Sequence, residues 1–281
     1  MDHASTWGCW SDDSFGPVAE HAASCTPEPG LGWQPYSRQR LMKRIFLSDL
    51  HLEDVESNVF QRFSECLALE CRQVDEIYVL GDLLEMWVGD DDDDDIATAL
   101  RAVLASTTAI CPVFILHGNR DFLLGETFSH DTGANLLPDP HCTADGVLLS
   151  HGDALCTDDS DYQSMRTLLR SSAWQTDILG KTLQERKAFG AALRAQSRQS
   201  NANKATNIMD VNTDATYTLL DAAQPARKVL IHGHTHRPGV HSMNDYTRIV
   251  TGTWSGCGWL CRQQDSQFQL ECFSLARRYG T

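Results

Sequence analysis

Five short apolar runs stand out along the chain, and each ends at a glycine or a group of polar residues. They are Ile45-Phe46-Leu47, Ile77-Tyr78-Val79-Leu80, Val113-Phe114-Ile115-Leu116, Val147-Leu148-Leu149 and Val229-Leu230-Ile231. Continuous runs rich in β-branched and aromatic residues, without alternation, predict strands covered on both faces. After the first run, Phe60, Phe63, Leu67 and Cys71 mark one face of a helix, with Ser57 or Asn58 near its cap. A second helix is expected over about 96–106. Strand and helix alternating in this way predict a mostly parallel α/β sheet. Beyond Asp159 the pattern turns helix-like to about residue 223. Two late strand-like runs, Tyr246–Thr253 and Phe268–Phe273, are expected to complete a second sheet packed on the first.

Residues 1–41 carry Gly, Pro, Ser and Asp without either periodicity and read as a disordered extension, with Met42 a candidate start just before the first strand. The remaining residues, 42–281, suffice for one catalytic domain with an insertion. A net charge of −15 argues against a nucleic-acid partner, because phosphate neutralisation needs clustered Lys and Arg. No stretch reaches the roughly 18–20 apolar residues that span a bilayer, and no secretory signal is visible. The 10 cysteines are scattered, several within apolar elements (Cys66, Cys71, Cys111), and form no CxxC pair. Reduced cytosolic thiols fit that spacing better than disulfides or a zinc ribbon.

The chemistry lies where the apolar runs stop. The first is followed by Ser48-Asp49-Leu50-His51 and the second by Gly81-Asp82. The third leads into His117-Gly118-Asn119-Arg120-Asp121, the fourth into Ser150-His151-Gly152-Asp153, and the fifth into His232-Gly233-His234-Thr235-His236. The carboxyl ends of strands are where open α/β sheets place their sites. Imidazoles, carboxylates and an amide oxygen together suit a pair of borderline-hard divalent ions, Mn²⁺ first, with Fe²⁺ or Zn²⁺ as alternatives. A carboxylate bridges two such cations well, because its charge offsets their repulsion, and Asp82 is the candidate bridge. Any one of these elements alone reads as a turn or a structural histidine. All five in this order predict a binuclear hydrolytic site.

Asp49-x-His51, Gly81-Asp82, Gly118-Asn119, His151 and Gly233-His234-Thr235-His236 resemble the calcineurin-like metallophosphoesterase superfamily, with Arg120 where that superfamily usually has histidine. The resemblance implies an αββα sandwich of two packed mixed sheets flanked by helices. From about Lys43 to His241 the chain is also similar to a narrower family, the UDP-2,3-diacylglucosamine pyrophosphatases of bacterial lipid A synthesis. The stretches that carry this likeness are Gly81–Asp91, His117–Leu124, His151–Asp159, Ile208–Asn212 and His232–Pro238. The likeness implies hydrolysis at the α-phosphorus of UDP-2,3-diacylglucosamine by a metal-activated hydroxide, giving UMP and 2,3-diacylglucosamine 1-phosphate. It implies a monomer on the cytoplasmic face of the inner membrane. It implies one metal on Asp49, His51, Asp82 and His236, and a second on Asp82, Asn119, His151 and His234. Substrate contacts carry over onto Asn119, Arg120, Asp159, Ser197, Asn201, Lys204 and His234, with Arg120 and Asp82 in the catalytic roles. The segment Ser255–Trp259 departs from the family, and residues 1–41 have no counterpart in it.

The leaving group of that reaction is a phosphate monoester, with a second pKa near ~6, and departs without a proton. An arginine in place of histidine is consistent with this, since a guanidinium holds phosphoryl oxygens in two hydrogen bonds. Residues 160–206 read as a helical cap insertion. Between Asp161 and Thr206, eight basic residues face three acids, which suggests cover over an anionic substrate as an alternative to a solvated helix face. Trp174, Ile178, Leu179, Leu183 and Phe189 are read either as an acyl-chain groove or as packing of the insertion on the core. The acidic run Asp90–Asp95 reads as a solvated loop, Trp87 as core or site wall, and Glu85 and Asp121 as acceptors behind ligating histidines. His117, His232 and His241 take no ligand role. A different nucleotide pyrophosphatase or phosphodiesterase, or an inactive scaffold on the same fold, are the competing readings.

Overall fold

A computed structural model of the chain describes residues 42–203 and 210–281, and the side chains of 200–203 are excepted. The expected extension 1–41, the Asn201 side chain, Lys204, Ile208 and Met209 therefore lie outside the described residues. The apolar runs form strands β1 (Lys43–Leu47), β2 (Glu76–Leu80), β3 (Val113–Leu116), β6 (Val147–Ser150) and β7 (Val229–His232). Short strands β4 (Asn135–Leu137) and β5 (His141–Cys142) lie between the third and fourth runs, and β8 (Gly239–Met243) precedes β9 (Tyr246–Val250). A last hairpin pairs β10 (Cys257–Gln264) with β11 (Gln267–Ser274).

These strands build two mixed sheets, in orders β11-β10-β1-β2-β3-β4 and β5-β6-β7-β9-β8. β1 through β4 are parallel, as are β6, β7 and β9. The side-chain period of two explains how one strand serves two cores. On β1, Phe46 points between the sheets to meet Tyr78, Leu116, Leu149 and Ile231, whereas Ile45 and Leu47 point outward against the helices. Each such burial contributes roughly 1.5–3 kcal/mol, which is why these runs show no polar alternation. Helix α1 (Asn58–Glu70) lays Phe60, Phe63, Cys66 and Leu67 on that outer face, and the Ser57 side chain accepts the Phe60 N–H. Helix α2 (Asp95–Thr108) buries Leu100 and Leu104 beside it, and α3 (Glu126–Thr132) adds Phe128. The second sheet is covered by α7 (Thr213–Ala223) through Leu220.

One placement differs from the sequence expectation. Phe268–Phe273 does not join the second sheet; it lies in β11, at the edge of the first. β10, which links it to β1, begins inside the atypical Ser255–Trp259 segment, where Gly256 and Gly258 break any strand pattern. Cys66, Cys71 and Cys111 are buried free thiols, as expected. No described helix is long and apolar enough to cross a membrane.

Between β6 and α7 the chain forms α4 (Ser160–Leu169), α5 (Ser172–Leu179) and α6 (Leu183–Asn203). Much of the basic character of this segment is taken up by ion pairs. Arg166 and Arg170 pair with Asp153, Arg186 with Asp91, Lys187 with Asp92 and Asp94, and Arg194 with Glu53 and Glu85. Five of its basic side chains are thus bound to carboxylates of the core and dock the helices. The acidic run is solvated at Asp91, Asp93, Asp94 and Asp95, as expected, but is tied to the fold at other points. Asp90 accepts the Gly125 and Phe128 N–H groups and the Trp87 indole N–H, Asp92 is buried, and Asp94 caps α2.

Candidate metal centre

The loops after β1 and β2 run side by side before they diverge. The Asp49 N–H donates to Gly81 O and the His51 N–H to Asp82 O, at 3.1 and 3.0 Å. The Gly233 N–H donates to His151 O at 2.9 Å, and the Trp254 N–H to Asp49 O at 3.1 Å. Backbone pairing thus carries the ends of strands from both sheets to one point. Five polar residues there, Asp49, His51, Asp82, His234 and His236, adopt left-handed backbone conformations with φ between 49° and 66°. For residues other than glycine this costs roughly 1 kcal/mol or more each and persists only where surrounding structure imposes it. Such strain concentrated on side chains of ligand type marks a functional centre.

The donor atoms fall into two groups around Asp82. On one side His51 Nε2 and His236 Nε2 face each other at 3.2 Å, Asp49 Oδ1 lies 3.3 Å from His236 Nε2, and Asp82 Oδ2 lies 3.8 Å from His51 Nε2. On the other side Asn119 Oδ1 is 3.0 Å from His151 Nε2 and 2.9 Å from His234 Nδ1, with Asp82 Oδ1 3.8 Å from His151 Nε2. Asp49, His51 and His236, and likewise Asp49, Asp82 and His151, bring ligand atoms within 4.8 Å of one another. His151 donates its Nδ1–H to Leu80 O at 2.8 Å, which leaves the Nε2 lone pair facing the centre, as ligation requires.

Electrostatics point the same way. Burial raises the Asp82 carboxyl, so this group resists carrying its charge without a compensating cation. Burial alone would lower His151, but Asp82, Asp153 and Asp49 lift it to about 9. His234 is held down at about 3 by burial and by its neighbour His151. A set of carboxylates and imidazoles balanced against one another in this way suits a divalent cation, and Asp49, His51, Asp82, His151 and His236 are candidate ligands for it.

Close approach makes glycine necessary at two loop positions. A Cβ on Gly118 would collide with the Asp82 backbone and carboxylate, and one on Gly233 with Ser48 and Asp49. Gly118→Ala is therefore expected to destabilise the fold by roughly 1–3 kcal/mol, read by urea unfolding. Unchanged stability would mean that the loop yields without strain.

Asn119, Arg120, Asp159, Ser197 and His234 come together along the same cleft, with Tyr162 between them. Asp159 also caps α4, accepting the Tyr162 N–H at 3.1 Å. Arg120 donates its backbone N–H to Asp82 Oδ1 at 2.9 Å, and its buried Nε has no hydrogen-bond partner among the described residues. The guanidinium also helps hold the Glu85 carboxyl low. Next to the cleft lies an apolar cavity walled by Trp87, Phe122, Trp174, Ile178 and Phe189. Asn119, Arg120, Tyr162 and Ser197 border both spaces. Leu179 and Leu183 are not part of that wall, and Leu179 is exposed.

Two acceptors expected behind the histidines differ in role. Glu85 Oε2 lies 2.9 Å from His51 Nδ1. Asp121 instead accepts the Gly118 and Leu83 N–H groups, both at 2.7 Å, and so braces the loop. His117 Nε2 is bound to Leu124 O, His232 is buried with Nδ1 on Gly233 O, and His241 is exposed; none joins the centre. Sequence reasoning overlooked Tyr162, whose ring centroid is 5.7 Å from that of His234 and whose hydroxyl donates to Asp153 at 2.9 Å. Asp153, named at the end of the fourth run but given no role there, is fully buried and receives Arg166 and Arg170 as well.

No protein-family model matches the chain. Curated relatives do. The chain is 38% identical over 245 residues to the UDP-2,3-diacylglucosamine hydrolase of Salmonella agona, covering 83% of this chain and 100% of that protein. It is 45% identical over 207 residues to the UDP-2,3-diacylglucosamine hydrolase of Aromatoleum aromaticum, covering 71% of this chain and 82% of the relative. Among solved structures, an archaeal phosphodiesterase aligns with 83% of this chain and 100% of its own length, at 12% identity and a TM-score of 0.45. With identity at this level over most of both sequences, the chain belongs to the UDP-2,3-diacylglucosamine hydrolase family.

Proposed function

We propose that the protein hydrolyses the pyrophosphate bond of UDP-2,3-diacylglucosamine at the α-phosphorus, releasing UMP and 2,3-diacylglucosamine 1-phosphate in lipid A synthesis. The observation that carries this reading is the shared wall between two unlike spaces. A cleft rich in metal-ligand atoms and an apolar cavity meet at Asn119, Arg120, Tyr162 and Ser197. A substrate with a diphosphate beside acyl chains needs both, adjacent, whereas a plain nucleotide needs only the first. Each buried methylene contributes roughly 0.8 kcal/mol, so an acyl chain among Trp174, Ile178 and Phe189 supplies substantial binding energy.

In this reading Asp49, His51, Asp82 and His236 hold one divalent ion, and Asp82, Asn119, His151 and His234 the other, with Mn²⁺ the preferred metal. When bound, such a pair polarises phosphoryl oxygens and provides a nucleophile at neutral pH. Arg120 binds phosphoryl oxygen and offsets charge in the transition state. Ser197 and Asp159 contact the substrate along the cleft, joined by Asn201 and Lys204 beyond the described side chains. The segment 160–206 acts as a cap over the lipid. Exposed Leu168, Leu179 and Phe189 on that cap support work at the inner-membrane surface, with the chain a peripheral monomer.

The test is UMP release from UDP-2,3-diacylglucosamine by chelator-treated protein, with and without added Mn²⁺. Turnover is expected only with metal, and unacylated UDP-N-acetylglucosamine is expected to be a far poorer substrate. Equal efficiency on both would favour a general nucleotide pyrophosphatase, and no turnover with either would leave the proposed reaction without support.

A further inference from the structure

Helix α6 does not merely lie over the core; it clasps the loop that follows Asp82, in antiparallel order. Arg194 meets Glu85, the backbone at Gly190 abuts Met86 and Val88, Arg186 reaches Val88 O and Asp91, and Lys187 reaches Asp92 and Asp94. Seven to eight residues separate Arg186 and Lys187 from Arg194, so these side chains share one face of the helix. Of these contacts only that of Arg194 continues into the metal centre. Glu85 divides its carboxylate between two partners. Oε1 receives the Arg194 guanidinium, and Oε2 lies 2.9 Å from His51 Nδ1. His51 turns its other nitrogen, Nε2, toward His236 and Asp82.

We infer that Arg194 is a positioning residue for the metal centre, acting through Glu85 on His51, so that metal loading and docking of α6 favour each other. This rests on the reading of Asp49, His51, Asp82 and His236 as a ligand set. The physical reason is that ligation through Nε2 leaves the proton on Nδ1, and a carboxylate behind that proton fixes the ring and strengthens the ligand. Oε2 lies at ion-pair distance from His51 Nδ1 but out of line for a hydrogen bond, so the Arg194 contact on Oε1 is what limits rotation of the carboxylate behind that ring. Arg194 supplies that contact from a helix more than one hundred residues distant in sequence, at |i−j| of 109. Because linkage is reciprocal, whatever Arg194 adds to metal affinity the metal returns as docking of α6. Direct repulsion between a guanidinium and a cation has the opposite sign. The ion pairs that Arg194 makes with Glu85 and Glu53 offset it.

The experiment uses the full chain and Mn²⁺ alone, without substrate. After chelation, Mn²⁺ is titrated calorimetrically, and amide hydrogen exchange in α6 is followed with and without the metal. In the unaltered protein Mn²⁺ is expected to slow exchange in α6. Arg194→Ala should abolish that slowing and weaken one of the two binding events by about five- to tenfold, and Glu85→Gln should weaken the same event. Lys187→Ala, which breaks a docking contact of the same helix away from every ligand, should leave Mn²⁺ affinity and Mn²⁺-induced protection as they were. The inference is overturned if Arg194→Ala binds both ions normally with protection intact. It is overturned too if Lys187→Ala reproduces the Arg194→Ala effect, or if Mn²⁺ speeds exchange in α6. Failure of the unaltered chain to take up Mn²⁺ would overturn the ligand reading itself and this link with it.

Discussion

Asp82→Ala is expected to reduce turnover by about 10³-fold or more and to leave the protein unable to hold two metal ions. Asp82 is 2% exposed, and its two oxygens face the two groups of donor atoms separately, Oδ2 toward His51 and Oδ1 toward His151. A bridging carboxylate offsets the repulsion between paired cations, and loss of several kcal/mol of charge stabilisation corresponds to a factor of this size. Alanine in the left-handed conformation that Asp82 occupies, φ 52°, adds backbone strain, so circular dichroism should accompany the assay. Asp82→Asn separates the effects. It keeps the shape and an oxygen for the Arg120 N–H while removing the charge, and is expected to lose metal nearly as badly. A variant that keeps both ions and normal turnover would sink the binuclear reading.

The second large effect is expected at Arg120. Its buried Nε lacks a partner among the described residues, and its side chain borders both the metal cleft and the apolar cavity. Removing one oriented donor from a preorganised site costs about 10²–10³ in rate. Arg120→Ala should therefore lower kcat by that factor while metal content, measured by elemental analysis, stays at the unaltered level. Arg120→Lys should recover little, because an ammonium cannot reproduce two parallel hydrogen bonds to phosphoryl oxygens. Near-normal kcat in Arg120→Ala would show that the guanidinium does not touch the reacting phosphate. Loss of metal in step with activity would show that it acts only through its backbone contact with Asp82.

Much of the candidate metal centre was legible from local pattern. β1, β2, β3, β6 and β7 read as strands because parallel strands buried on both faces leave no polar alternation, and the ligand-type residues sit in the loops directly after them. The αββα architecture and the family followed from the same stretches. β10 was missed because Gly256 and Gly258 interrupt the pattern at its start. β11 was assigned to the wrong sheet. Its alternation of exposed and partly buried positions marks an antiparallel strand with one face covered, and nothing in such a pattern says which edge it joins.

What the amino-acid order determined by itself was short-range: which segments extend, which coil, and which carboxylates, imidazoles and amide stand at strand ends. Those properties depend on neighbours a few residues away, through side-chain period and backbone preference. Tertiary structure decided the rest. It gave basic residues of α4 and α6 their carboxylate partners on the core, through ion pairs such as Arg186–Asp91 and Arg194–Glu85, 95 and 109 residues apart. It assigned Asp121 to the loop backbone rather than to a histidine, and brought Tyr162 onto Asp153 beside His234. Charge along a chain shows how many partners a segment needs. Which partners it meets is set only when distant elements pack, because Coulomb attraction depends on separation in space and on burial, neither of which is written in sequence distance.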